Sequence, residues 1–170
     1  MTINELNSLS QEDFIKTLGG IYEHSPWVAE GAYIYRPFEN LEHLHTVMIN
    51  VVMQAAPDIQ NALILAHPDL AGKAALANEL TEHSKSEQSG VGLNALNKAE
   101  YQRFHELNNR YKSKFRFPFI LAVKGHTKDS ILASFEERLN NDSLVERSRA
   151  LSEIAKIASF RLKALLEEQG

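Results

Sequence analysis

A chain of 170 residues has the length of one domain, and at that size folding buries roughly 70% of the unfolded surface, enough for a core without staples. It has no cysteine, which excludes disulfides, thiolate metal sites and a thiol nucleophile and suits a reducing compartment. Its formal net charge is -4, from 18 basic and 22 acidic residues, which argues against nucleic acid, because phosphate binding needs a basic excess. The stretch MTINELNSLSQEDF has no basic and apolar regions of a secretory leader, and no apolar run nears the roughly 20 residues that cross a bilayer. Cytoplasmic residence with no membrane partner is the expectation.

Helix punctuation is dense along the chain. Ser10 reads as an N-cap with Asp13 at N3, Leu9 and Phe14 as a hydrophobic staple, and Gly19-Gly20 as the stop. Ser25-Pro26 opens a second helix with proline at its first position, and Trp27 is read as a core anchor. Residues 31–39 read as an irregular connection stopped by Arg36-Pro37. Asn40 opens a strong helix whose buried stripe is Leu41, Leu44, Val47, Met48, Val51, Val52 and Ala55. Pro57 breaks it. Ile59, Ala62, Leu63 and Ala66 mark a shorter helix, and Pro68 forces His67 out of helical geometry.

Residues 70–82 read as helix again. Ser84 and Glu87 fit a capping box for a short helix that Gly90 ends. Asn97 and Glu100 open the next, with Tyr101, Phe104, Leu107 or Asn108, and Tyr111 on one face. From Phe115 to Val123 the pattern alternates and then turns wholly apolar, and Pro118 disfavours a central strand. A buried extended run with few sheet partners is expected. Gly125 turns the chain, and Thr127 caps a helix bearing Ile131, Leu132, Phe135 and Leu139. After the loop 140–142, Ser143 with Glu146 opens the last helix, to about 166. The predicted fold class is all-α: a single-domain compact multi-helix bundle over 1–170, with one short buried extended segment around 115–123.

Three polar residues interrupt this pattern. The last helix runs Leu151, Ile154, Ala158, Arg161, Leu165 at spacings of three and four, so Arg161 stands where an apolar residue belongs. A buried guanidinium needs an anionic partner, either a ligand or an internal carboxylate, unless it snorkels from the rim. His67 could be a dipole-favoured helix terminus or a pinned imidazole that moves protons. Glu87 could be capping-box furniture or the acid, base or orienting partner of an imidazole. No HExxH, P-loop, GxGxxG or GxSxG is present. His43 and His45 point differently on their helix, and Glu79 with His83 makes only two ligands, so no metal is expected. Two other functions fit these residues less well: a non-catalytic helical interaction domain, and a metal-dependent hydrolase using His67, Glu79 and His83.

Together, His67-Pro68-Asp69-Leu70-Ala71, Ser84-x-x-Glu87-Gln88 and Gly90-x-Gly92-Leu93 resemble the signature of the 2-oxo-4-hydroxy-4-carboxy-5-ureidoimidazoline (OHCU) decarboxylases. The resemblance continues through Phe104-x-x-Leu107-Asn108-x-x-Tyr111, Lys114-Phe115-x-Phe117-Pro118-Phe119-Ile120 and Arg161-Leu162, and covers about residues 10–166. Val91 stands where the family usually has alanine, and Arg116 where it often has glycine. The resemblance implies an all-helical enzyme of urate degradation that decarboxylates OHCU to (S)-allantoin without a cofactor. It implies a catalytic pair, His67 and Glu87. It further implies that Pro68, Ser84, Gln88 and Arg161, with the backbone of Phe119, Ile120, Leu121 and Ala122, bind the substrate. It also implies a cytoplasmic homodimer.

Overall fold

The computed structural model describes residues 1–72 and 79–166. By contact density the described residues divide into two units, residues 1–66 with 155–166, and residues 67–72 with 79–154. The described residues are helical with loops between, and no strand is formed among them. No described helix is long and apolar enough to cross a membrane.

The first unit holds α1 (Ile3–Asn7), α2 (Gln11–Leu18), α3 (Trp27–Tyr33), α4 (Leu41–Gln54), α5 (Pro57–Leu65) and the end of α9 (Ser143–Leu165). Ser10 and Asn40 cap α2 and α4 as their side chains predict, each accepting a backbone N–H three residues on. The sequence reading passed over α1, which a reciprocal Thr2–Glu5 capping box opens. Trp27 is only half-buried, and Val28, Ala29 and Ala32 carry the inner face of α3 instead. The connection after α3 is shorter than 31–39, because helix continues to Tyr33. The core stripe of α4 narrows to Leu44, Met48 and Val52, one residue per turn. In α5 the phase is shifted from the predicted one: Ile59 is 43% exposed while Gln60 is buried. Gln60 is drawn inward because its amide donates to two carbonyls in the last turn of α4, that of Val52, which also accepts the Ala55 N–H, and that of Met53.

The second unit is built on α6 (Glu82–Gly90), α7 (Lys98–Phe115), α8 (Lys128–Arg138) and the first half of α9. Its core is aromatic: Phe104, Tyr111, Phe115, Phe119 and Phe135 pack together, Phe119 stacked on Phe135 at 3.7 Å between centroids. Capping boxes open α7 at Asn97–Glu100 and α8 at Thr127–Ser130. Arg116 ends α7 in the left-handed region, φ +66°, which is why a glycine would be natural there. Phe115 belongs to α7, so the expected extended run begins only after it, and Pro118 to Val123 lie buried without strand pairing.

Two expected caps are corrected. Thr81, not Ser84, caps α6, its hydroxyl accepting the Ser84 N–H at 3.3 Å. At α9 the Asp142 carboxylate accepts the Val145 N–H at 2.9 Å, which relieves Ser143 of that role and leaves Glu146 buried for another. The helix expected over 70–82 is absent at 70–72 and 79–81, and its middle, 73–78, lies outside the described residues.

Candidate active site

The His-Pro-Asp-Leu-Ala loop is pinned at three successive residues. Helix α5 closes at Ala66, and His67 follows it, 8% exposed. The Gln88 side chain accepts the Ala71 N–H at 3.0 Å and donates to the Asp69 carbonyl at 3.2 Å. The Asn108 amide donates to the Leu70 carbonyl at 2.8 Å, and the Lys112 ammonium meets the Asp69 carboxylate at 2.6 Å. Ala71 sits at φ +53°, a conformation unfavourable for a residue with a Cβ, and these bonds hold it there. The loop is thus a fixed mount for the imidazole before it.

Helix α6 supplies the facing residues. Ser84 and Gln88, four apart, are both 4% exposed, and Glu87 beside them is half-buried. With Thr81 as the cap, Glu87 lies well inside the helix and is no capping-box residue. The punctuation reading of Glu87 therefore falls, and a carboxylate remains next in the chain to the residue that clasps the His67 loop. Gln88 spends its carboxamide on that loop, a role the sequence did not show.

Helix α7 joins this loop to the Phe119–Ala122 segment. Asn108 holds Leu70; one turn on, the Tyr111 ring packs edge-on against Phe119 at 5.2 Å. Phe119, Ile120, Leu121 and Ala122 are all buried. Among the described residues, none of their backbone N–H groups donates to a protein acceptor. Buried backbone donors are nearly always paired, so four in succession without a protein partner mark a place where a ligand with acceptor oxygens would be welcome.

Behind the segment lies an ion pair that the sequence reading missed. Arg138, 1% exposed, donates to the Glu146 carboxylate at 2.8 Å and to the Ile120 carbonyl at 2.6 Å, and lies over the Phe119 ring at 4.4 Å. Glu146 also accepts from the Tyr111 hydroxyl at 2.5 Å and from Asn141 at 3.0 Å. Burial, and then the bond to Glu146, push the Tyr111 phenol above its ordinary range. The signal was present: Ile131, Phe135, Arg138 is a buried stripe with spacings of four and three.

Arg161 is likewise buried, in the first unit, and its carboxylate is internal. Its guanidinium meets Glu23 at 2.8 Å and the Gly20 and Ile21 carbonyls at 3.2 and 3.5 Å. Among the sequence candidates, the loop bearing His67 and Pro68 is therefore joined to Gln88, while the demand of Arg161 for an anion is met by Glu23. The exposed pair Glu79 and His83 gathers no third ligand: among the described residues no group of three or more His, Asp or Glu could hold a metal ion. His43 instead accepts the Glu39 N–H, and His45 bonds the Ala155 carbonyl at 2.8 Å. A cavity of about 480 Å³ opens beside Ala71 and Gln88, walled also by Lys85, Leu93 and Tyr101, with neither His67 nor Glu87 in its lining.

Comparison with known proteins bears on this arrangement. The sequence profile of the OHCU decarboxylase family matches residues 7–163. A 2-oxo-4-hydroxy-4-carboxy-5-ureidoimidazoline decarboxylase of Haloferax volcanii is 38% identical over 162 residues, covering 95% of this chain and 94% of that protein. A uric acid degradation bifunctional protein of a Bacillus species, strain TB-90, is 40% identical over 99% of this chain, which spans 33% of its length. Among solved structures, an (S)-allantoin synthase superposes with a TM-score of 0.80 at 32% identity, over 98% of this chain and 55% of that one. An OHCU decarboxylase crystallised in the presence of (S)-allantoin shares the fold, with a TM-score of 0.71 at 23% identity, over 94% of this chain and 100% of that one.

Proposed function

The chain belongs to the OHCU decarboxylase family, and from that premise we propose that it decarboxylates 2-oxo-4-hydroxy-4-carboxy-5-ureidoimidazoline to (S)-allantoin, in the last step of urate degradation. The observation that carries the reading to particular residues is the clasp of Gln88 on Asp69 and Ala71, which ties the loop of His67 to the helix of Glu87.

The chemistry asks little beyond this. When the bond to the carboxylate breaks, its electron pair forms a double bond to the neighbouring ring carbon, the carbon–nitrogen π pair passes to the nitrogen, which takes a proton from solvent, and carbon dioxide leaves. The substrate is its own electron sink, so no cofactor is called for. His67 takes the hydroxyl proton as carbon dioxide departs, and Glu87 orients the imidazole and stabilises its charged form. A proton then returns to carbon on one face, which a pinned imidazole can direct. Pro68 and Ser84 bound the substrate, Gln88 fixes the loop that carries the imidazole, and the N–H groups from Phe119 to Ala122 receive the ring's carbonyl oxygens. By the motif match alone, Arg161 meets the substrate's carboxylate or a carbonyl. On the same resemblance, the whole chain acts as one domain in a cytoplasmic homodimer, which sedimentation at working concentration would show.

The test generates the short-lived substrate in place from urate with the two preceding enzymes. The wild type is expected to speed release of one carbon dioxide per substrate molecule. His67→Ala should lose that acceleration while keeping its helical circular dichroism. Release at the spontaneous rate in the presence of wild type would refute the reading.

A further inference from the structure

We infer that Arg138 is a positioning residue for this reaction, aiming the Leu121 N–H at the substrate by holding the peptide plane that carries it. The inference rests on the reading given under Proposed function. It starts from peptide geometry: in a trans peptide the carbonyl and the following N–H point in opposite directions. The only cis bond among the described residues is Arg36-Pro37, so the 120–121 peptide is trans. Its carbonyl, on Ile120, accepts from the Arg138 guanidinium at 2.6 Å. The N–H of the same peptide therefore faces away from the ion pair, and among the described residues it meets no protein acceptor. A charged donor on the carbonyl also polarises the amide, making its N–H a stronger donor on the far side.

The guanidinium is itself held. Glu146, 0% exposed, takes its Nε–H at 2.8 Å, the Tyr111 hydroxyl lies 3.5 Å from its Nη2, and the Phe119 ring covers its face at 4.4 Å. Arg138 thus grips one peptide from behind and packs on the side chain next to it. A buried ion pair is a poor way to gain stability alone, because apolar side chains of like volume often serve as well. Aiming a backbone donor is something those apolar side chains cannot do.

Two measurements decide. In the wild type, saturation with (S)-allantoin should move the Leu121 amide resonance downfield, and the double variant Arg138→Met/Glu146→Leu, which keeps volume and removes both charges, should lose that shift. The double variant should also fall about 10- to 100-fold in kcat/KM, comparable with or below the loss of one preorganised donor, while it keeps its helical circular dichroism; its unfolding midpoint falls, because the Tyr111 hydroxyl, the Asn141 amide and the Ile120 carbonyl lose a partner. A Leu121 resonance indifferent to (S)-allantoin in a wild type that turns over substrate overturns the inference, whether or not the variant folds. So does a folded double variant with wild-type kcat/KM. A wild type without turnover refutes the function reading itself, and with it this inference.

Discussion

Two buried arginine–glutamate pairs stand in the two units, and they differ in how the guanidinium is shared. Arg161 divides its donors between Glu23 and the carbonyls of Gly20 and Ile21, so it ties the end of α9 to the turn after α2. Arg138 gives one bond to a carbonyl and leans on a carboxylate that also serves Tyr111 and Asn141. In the first pair the carboxylate is one acceptor among three; in the second it is the hub. Removing the hub should therefore cost more than removing the spoke.

Stability measurements in urea can break that comparison. Glu146→Ala leaves Arg138 charged and buried and deprives Tyr111 and Asn141 of their acceptor; a loss of about 3–5 kcal/mol is expected. Glu23→Ala leaves Arg161 two carbonyls, and a smaller loss, about 2–3 kcal/mol, should follow. The reverse order would show that the carbonyls around Arg161 contribute little. Gln88→Ala asks what an uncharged clasp does: the Ala71 N–H and Asp69 carbonyl lose their partner, for about 1–3 kcal/mol. Turnover of the same variant should fall, because the mount of His67 loosens.

The smallest effect concerns a carboxylate at the surface. The Asn97 backbone N–H holds Glu100 below the ordinary carboxylate range. A lowered folded-state pKa contributes stability that is present above the unfolded pKa and lost as pH falls through the folded one. Glu100→Gln should therefore differ most from wild type near neutrality and converge with it in acid. Melting curves across that range would show the convergence, and a gap that widened on acidification would contradict it.

The two arginines also show what was legible in the sequence. Arg161 breaks an apolar stripe in the middle of a long helix, where nothing else excuses a charge. Arg138 falls in the last turn of α8, where a basic side chain has an ordinary electrostatic reason to be, so its place on the Ile131–Phe135 stripe went unread. Glu146 was hidden by Ser143 three residues earlier, just as Glu87 was by Ser84. In both cases the real cap lay upstream, at Asp142 and Thr81, and the Ser-x-x-Glu pattern was coincidence. Gln60 escaped notice because its reason for burial, the carbonyls in the last turn of α4, comes from a neighbouring element. The helices with honest caps, at Ser10, Asn40, Asn97 and Thr127, were legible to the residue. The family signature pointed to His67, Glu87 and Gln88; that Gln88 clasps the His67 loop needed coordinates, because a clasp depends on two segments meeting.

The handedness of the product tests the central claim most directly. With the substrate generated in place, circular dichroism at early times should report (S)-allantoin with the wild type. His67→Ala and Glu87→Ala should lose acceleration, by about 10²–10⁴ for the residue that moves the proton, and give racemic product at the spontaneous rate. Rapid formation of (S)-allantoin by either variant would contradict the roles given to the pair, and racemic product with the wild type would contradict the account as a whole.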